Sequence, residues 1–265
     1  MNKNWVIKAP GDEEEITSLA SELGVDRPLA QLLIQRNIRS YKEAKEFFRP
    51  DLANLHDPFL MKNMDVAIRR IQDAIHSGEK VMIYGDYDVD GTTAVALVYS
   101  YFKGHFKDID YYIPDRYDEG YGISLKGIDY AAQHGFSLII ALDCGIKAVD
   151  KVKYASEKGI EFIICDHHNP GDEIPDAVAV LDPKQEGCSY PYKELSGCGV
   201  GLKLVQAFGI ETGLDASRAY NYLDLVVVSI ASDIVPITGE NRIMAHFGLK
   251  KLNDCLLYTS PSPRD

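Results

Sequence analysis

Residues 80–91 read KVMIYGDYDVDG, and this stretch decides the fold. Its first five residues (KVMIY) form a short apolar, β-branched run of the kind that makes a strand buried on both faces. Gly85 ends the run, and three carboxylates follow at alternate positions, Asp86, Asp88 and Asp90. The same pattern returns twice. Residues 138–142 (LIIAL) lead to Asp143 in LDCG, and residues 161–165 (EFIIC) lead to Asp166, His167 and His168 in CDHH. Residues 109–113 and 177–181 are further strand-length segments. Helical stretches at 93–105, 124–134 and 148–158 alternate with them, Ser124 serving as an N-cap and Gly135 and Gly159 as stops. This rhythm predicts an α/β fold, a parallel β-sheet with helices on both faces.

In an open parallel sheet the residues just past the strand C-termini converge in one crevice. Carboxylates and imidazoles far apart in the chain are therefore expected to meet. Crowded carboxylates repel one another unless a cation neutralises them. Hard oxygen ligands mixed with imidazole suit Mn²⁺, or Mg²⁺. An Asp/Gly turn often does nothing more than turn the chain and cap a helix, but three alternating acids exceed that need. The stretch has neither the frame of an EF-hand nor a GxxxxGK[ST] phosphate loop. Adjacent His167 and His168 can face different partners, one a metal and the other a substrate. Asp166 is placed to accept the ring N–H of a ligating histidine. Asp233, in SDIVP at a helix end, is a further acidic candidate.

Forty acidic against 28 basic residues leave a net charge of −12, which argues against a uniformly basic surface but not against local cations in a groove. The longest apolar runs, such as 225–231, are far short of a membrane span, and no signal-peptide pattern opens the chain. Cys144, Cys165, Cys188, Cys198 and Cys255 form no CxxC pair, so reduced thiols and a cytoplasmic location are expected. Toward the N-terminus Leu19, Leu23, Leu29, Leu32 and Leu33 recur at helical spacing. Residues 64–76 place Ala67, Ile68, Ile71 and Ile75 on one face before the stop at Gly78. A helical leader, 1–78, is thus expected to pack on a main domain, 79–257. After Asp182, SGCGVG opens a helix over 201–208, and a helix over 217–230 delivers Ser232 and Asp233. Residues 258–265 (YTSPSPRD) read as a linker or, preferably, as a truncated or non-native end.

The motifs GDYDVDG, LDCG, DHH, SGCGVG and ASDIVP occur in that order. HDPFLMKNMDVAIRRIQDAI precedes them and IPDRYDEGYGI lies among them. Together they resemble the DHH phosphoesterase superfamily, most closely its RecJ-type single-stranded-DNA-specific exonucleases, as far as about Cys255. The resemblance implies a two-metal nuclease site. Asp88, Asp90, Asp143, His167 and Asp233 match the family's metal ligands, and Asp86 matches a further acid of the first motif. His168 matches the second histidine of the DHH motif, beside the scissile phosphate, and Asp143, His167 and His168 are the implied catalytic set. By family analogy Asp143 is shared between two Mn²⁺ or Mg²⁺ ions, about 3.5–4 Å apart, that clamp the attacking and leaving oxygens of an in-line hydrolysis.

The implied activity is 5′→3′ release of 5′-mononucleotides from single-stranded DNA, in DNA repair and recombination. The implied protein is a monomer, with single-strand-binding protein or a helicase as partner. Alternatives within the superfamily are an oligoribonuclease, a cyclic-dinucleotide phosphodiesterase or a pyrophosphatase. Outside the enzyme class stand a non-catalytic nucleic-acid-binding scaffold, which degenerate ligands would mark, and a phosphate-binding regulatory domain. RecJ-type enzymes continue into a second phosphoesterase domain, DHHA1, and usually an oligonucleotide-binding fold. Neither is expected within these 265 residues. Arg116, in DRYDEGYG, is a candidate phosphate contact, the alternative being an ion pair with Asp118 or Glu119. Tyr117 and Tyr121 are candidates for base stacking. Gly199, within GCGVG, could lend its N–H to a phosphate or belong to a tight turn before a helix.

Overall fold

The structure, a computed structural model, describes residues 6–254. The chain divides into two compact units between Asn54 and Leu55. The boundary expected near residue 78 thus lies earlier, because the helix over 64–77 packs within the second unit. The expected tail over 258–265 and Cys255 lie outside the described residues.

Among its described residues the first unit holds three α-helices, α1 (Glu13–Leu23), α2 (Arg27–Ile34) and α3 (Tyr41–Phe48). Asp12 caps α1 by accepting from the N–H groups of Glu14 and Glu15, and Ser40 caps α3 by accepting from Glu43. The small core comprises Ile16, Leu19, Ala30, Leu33, Ile34, Ile38 and Ala44. Leu29 and Leu32 face solvent. The inward stripe of α2 runs through Ala30, Leu33 and Ile34, so their neighbours at about 100° per residue cannot share it.

The second unit is built on a five-stranded parallel sheet, β1 (Val81–Gly85), β2 (Ile109–Tyr112), β3 (Leu138–Leu142), β4 (Glu161–Cys165) and β5 (Ala179–Leu181), in the order β2-β1-β3-β4-β5. β1 and β3 are wholly buried, as continuous apolar strands in a two-faced sheet must be. Met82, Tyr84, Ile139, Ala141, Phe162 and Ile164 pack beneath α6 (Leu125–Gln133) and α7 (Val149–Glu157). The opposite face is covered by α4 (Met64–Ser77), α5 (Val89–Phe102) and α8 (Gly197–Glu211). α9 (Leu223–Ser232) packs on α5 and α8, and α10 (Gly239–Asp254) packs on α9.

Two features of this sheet position the site. Gly85, Leu142 and Cys165 are register partners, so the chain leaves β1, β3 and β4 at one level and Asp86, Asp143 and Asp166 emerge side by side. The strand order also reverses between β1 and β3, the switch point at which an open parallel sheet leaves a crevice.

A buried ionic network braces the helices behind that crevice. Lys203 of α8 donates to Glu240 Oε1 at 2.7 Å and to the carbonyl of His56 at 2.9 Å. Glu240 of α10 also accepts from the His56 N–H at 2.8 Å and from the Tyr190 hydroxyl at 2.6 Å. Both charged side chains are essentially inaccessible to water, so removing one strands the other. Lys203→Met should therefore cost about 3–5 kcal/mol of stability in denaturant titration, and adding Glu240→Gln should recover part of it. Additive losses in the double variant would contradict this network.

Candidate metal centre

The capping residues of α5 and α8 fix the site's geometry. Asp88 is the N-cap of α5, its Oδ1 accepting from the Gly91 N–H at 2.9 Å. The helix expected from residue 93 therefore begins at Val89, and Asp90 lies in its first turn. Ser196 caps α8 by accepting from the Gly199 N–H at 3.2 Å, so that helix begins at Gly197 and not at 201. The cap uses the N–H of Gly199 and the residue is buried, which removes the phosphate-contact role expected for it.

The neighbouring N–H groups of SGCGVG point at Asp90. Gly197 N–H and Cys198 N–H donate to Asp90 Oδ2 and Oδ1, each at 2.7 Å. Ser229 of α9 donates its hydroxyl to Oδ1, also at 2.7 Å. One buried carboxylate thus joins α5, the positive end of α8, and α9. Gly197 has no room for a side chain: a Cβ there would lie 2.5 Å from Asp143 Oδ1.

Four groups converge in this setting. His167 Nε2 lies 3.1 Å from Asp143 Oδ1, 3.6 Å from Asp233 Oδ2 and 3.7 Å from Asp90 Oδ2. His167 is 5% exposed and Asp143 1%. Asp143 Oδ1 and both ring nitrogens of His167 are buried without a hydrogen-bond partner among the described residues. Asp143 also sits at φ 60°, in the left-handed region, where a non-glycine residue stores strain typical of functional sites. Burial, followed by the charges of Asp90, Asp88 and Asp166, pushes its carboxyl up to about 10. Burial likewise raises the carboxyl of Asp233. Orphaned lone-pair atoms, clustered acids and an imidazole fit a divalent cation, which would pair the orphans and offset the repulsion.

The other expected site residues take different places. Asp86 is fully buried, and its Oδ2 accepts from the Gly122 N–H at 2.9 Å while Oδ1 accepts from Tyr87 N–H. It anchors the 115–122 loop and lies outside the clustered ligand atoms, as does Asp88. Asp88 Oδ2 accepts from the Tyr121 hydroxyl at 3.3 Å. Asp166 orients His168 and not the clustered His167: its Oδ1 accepts from His168 Nδ1 at 2.7 Å, and its Oδ2 accepts from Ile146 N–H. The Asp166 hydrogen bond raises the His168 imidazole above its ordinary pKa. Against the penalty of burial, His168 holds the Asp166 carboxyl below its own. A nitrogen of His168 also lies within 4.8 Å of ligand atoms of Asp143 and His167.

Arg116 makes no ion pair with Asp118 or Glu119. Its guanidinium lies over the Tyr87 ring, 5.3 Å from the centroid, while Asp118 meets Lys126 and Glu119 binds Tyr112, Ser124 and the Asp115 N–H. Tyr121 packs edge-on against Tyr87, whereas Tyr117 is 94% exposed on the rim. The residue missed by sequence reasoning is Ser229, which sits in the apolar run LDLVVVSIAS and reads as core.

The DHH family, N-terminal domain, matches residues 80–230. The chain is 42% identical over 248 residues to the single-stranded-DNA-specific exonuclease RecJ of Bacillus subtilis (strain 168), covering 94% of this chain and 31% of that protein. Its fold is similar to that of an exonuclease RecJ crystallised with manganese, at TM-score 0.68 and 29% identity over 77% of this chain and 50% of that one. It is also similar to RecJ in complex with Mn²⁺ from Thermus thermophilus, at TM-score 0.75 and 25% identity over 92% of this chain and 34% of that one. The chain therefore spans about a third of the Bacillus relative's length.

Gly197→Ala provides a direct test of the packing at Asp143. The added methyl must displace the Asp143 carboxylate, so Mn²⁺ affinity by calorimetric titration should fall about tenfold or more, as it does when groups that hold a ligand in place are lost. Unchanged affinity in a folded variant would show that Asp143 is not a ligand.

Proposed function

As the chain belongs to the DHH family, we propose that it is a divalent-metal-dependent phosphodiesterase that removes nucleotides from single-stranded DNA in the 5′→3′ direction, as in repair and recombination. One observation carries the reading. The orphaned ligand atoms of Asp143 and His167 converge with Asp90 and Asp233 at the sheet's switch point. The similarity to exonucleases crystallised with manganese supports the choice of metal and reaction.

Asp90, Asp143, His167 and Asp233 would hold the ions, Mn²⁺ or Mg²⁺. Bound ions supply Lewis acidity to phosphoryl oxygens. The chain's own residues do the rest. Asp90 is held by three donors, which fix its carboxylate beside His167. Asp166 locks the Nδ1 side of His168, so Nε2 is the nitrogen left to meet a phosphate oxygen as negative charge develops there. Arg116, steadied by Tyr87, offers a guanidinium at the rim for a neighbouring phosphate. Exposed Tyr117 and half-exposed Tyr121 offer aromatic faces to unpaired bases. Among the described residues no helix is long and apolar enough to cross a membrane.

Incubation with 5′-labelled single- and double-stranded DNA, with Mn²⁺, Mg²⁺ or chelator, tests the activity. Release of mononucleotides from the single strand only, abolished by chelator, is expected. His168→Ala should lower turnover roughly 10²-fold, as loss of a group that stabilises transition-state charge does, while Mn²⁺ affinity stays at the parent's level. Loss of metal together with activity would instead make His168 a ligand.

A further inference from the structure

The first unit carries a groove of about 440 Å³, lined chiefly by α2 and α3. Its wall on α2 is a second apolar stripe. Ala30, Leu33 and Ile34 face the unit's core, while Leu29 and Leu32 face outward and are 53% and 47% exposed. α3 supplies the opposite wall through Tyr41, Lys45 and Phe48, which share one helix face at i, i+4 and i+7. Tyr41 is 53% exposed and Phe48 63%. Four large apolar side chains thus stand at helical spacing around one groove. Contiguous apolar surface with a polar rim marks an interaction site.

The rim is cationic. Arg36, Lys45 and Arg49 line the groove, and no carboxylate does. Arg36 spends one N–H on the Leu32 carbonyl at 3.0 Å, and none of the three meets a carboxylate among the described residues. Arg27, Arg39 and Lys42 of the same unit do, pairing with Glu13, Glu15 and Glu46. In a chain of net charge −12, three cations left over around one apolar groove select a negatively charged occupant. The walls separate the classes of anion. A nucleic-acid strand needs aromatic faces for its bases, whereas the α2 side here, Leu29, Leu32 and Leu33, is wholly aliphatic. That surface suits the apolar anchors of an amphipathic helix lying along α2 and α3.

We propose that this groove receives an acidic amphipathic helix of a partner protein. Its apolar face would lie against Leu29, Leu32, Tyr41 and Phe48, and its carboxylates would meet Arg36, Lys45 and Arg49. The groove belongs to the first unit, so the proposal stands apart from the chemistry of the metal centre.

The probe is a fluorescein-labelled synthetic peptide of Leu, Ala and Glu, with Leu at i, i+3, i+4 and i+7. At about 14 residues, roughly 21 Å as a helix, it outspans α2 and α3. Fluorescence anisotropy with the 265-residue chain should show binding at least tenfold tighter than that of the same peptide with Lys for Glu, or with its Leu positions scrambled. L32D/F48D, at two exposed positions, should lose about tenfold or more of the affinity, as removal of central anchors does, with the parent's circular dichroism. R36E/K45E/R49E should instead prefer the Lys peptide, a reversal that general damage to the unit would not produce. Equal binding of the three peptides by the parent, or an acidic-peptide affinity that both variants leave unchanged, would overturn the proposal. Two further results would also overturn it by assigning the groove elsewhere. One is a parent dimer that L32D/F48D dissociates in sedimentation, and the other is oligothymidylate binding lost in L32D/F48D while the acidic peptide does not bind the parent.

Discussion

The carboxylate of Asp90 accepts hydrogen bonds from Gly197 N–H, Cys198 N–H and the Ser229 hydroxyl, all at 2.7 Å, and the rest of the centre depends on that junction. The junction sets the N-terminus of α8 against Asp143, where only glycine fits. It also brings α9 in so that Asp233, one residue past its end, reaches His167. Without the negative charge of Asp90 the first N–H groups of α8 would lack an acceptor in a buried place. Without those donors the carboxylate would be buried and unpaired. Each end of the contact makes the other tolerable.

The cluster that results is poorly satisfied by protein alone. Asp90 is fully hydrogen-bonded, yet Asp143 and His167 keep bare, buried polar atoms, and the carboxyl of Asp143 is forced far above its ordinary range. Natural interiors rarely leave such groups without a partner. The strained φ of Asp143 adds a further local cost, held in place by the sheet and by α8. A cation accounts for all three features together. The Lys203–Glu240 pair ties α8 to α10.

The strands were legible because a parallel strand covered on both faces must be apolar at nearly every position, and 80–84, 138–142 and 161–165 are. Their order along the chain also placed the motif residues at one edge of the sheet. Asp90, Asp143, His167 and Asp233 could be anticipated on that ground and from the family resemblance. The helix starts could not, since DYDVDG and SGCGVG read as loops until Asp88 and Ser196 are seen to cap them. SGCGVG resembled a phosphate cradle because its N–H groups do bind an anion. That anion is Asp90, more than a hundred residues earlier, and no local pattern announces it. Asp86 lies outside the clustered ligand atoms, its oxygens accepting from Gly122 and Tyr87 N–H groups that sequence alone cannot bring near. The leucine periodicity of the N-terminal helices does not say which stripe faces inward, and Leu29 and Leu32 lie outside it.

The most direct test of the central claim is anomalous diffraction from crystals grown with Mn²⁺, with data collected near the manganese edge. Anomalous density is expected within the ring of Asp90, Asp143, His167 and Asp233, at coordination distance from Asp143 Oδ1 and a ring nitrogen of His167. Density elsewhere in the molecule with these atoms still bare, or none at saturating Mn²⁺, would contradict the claim.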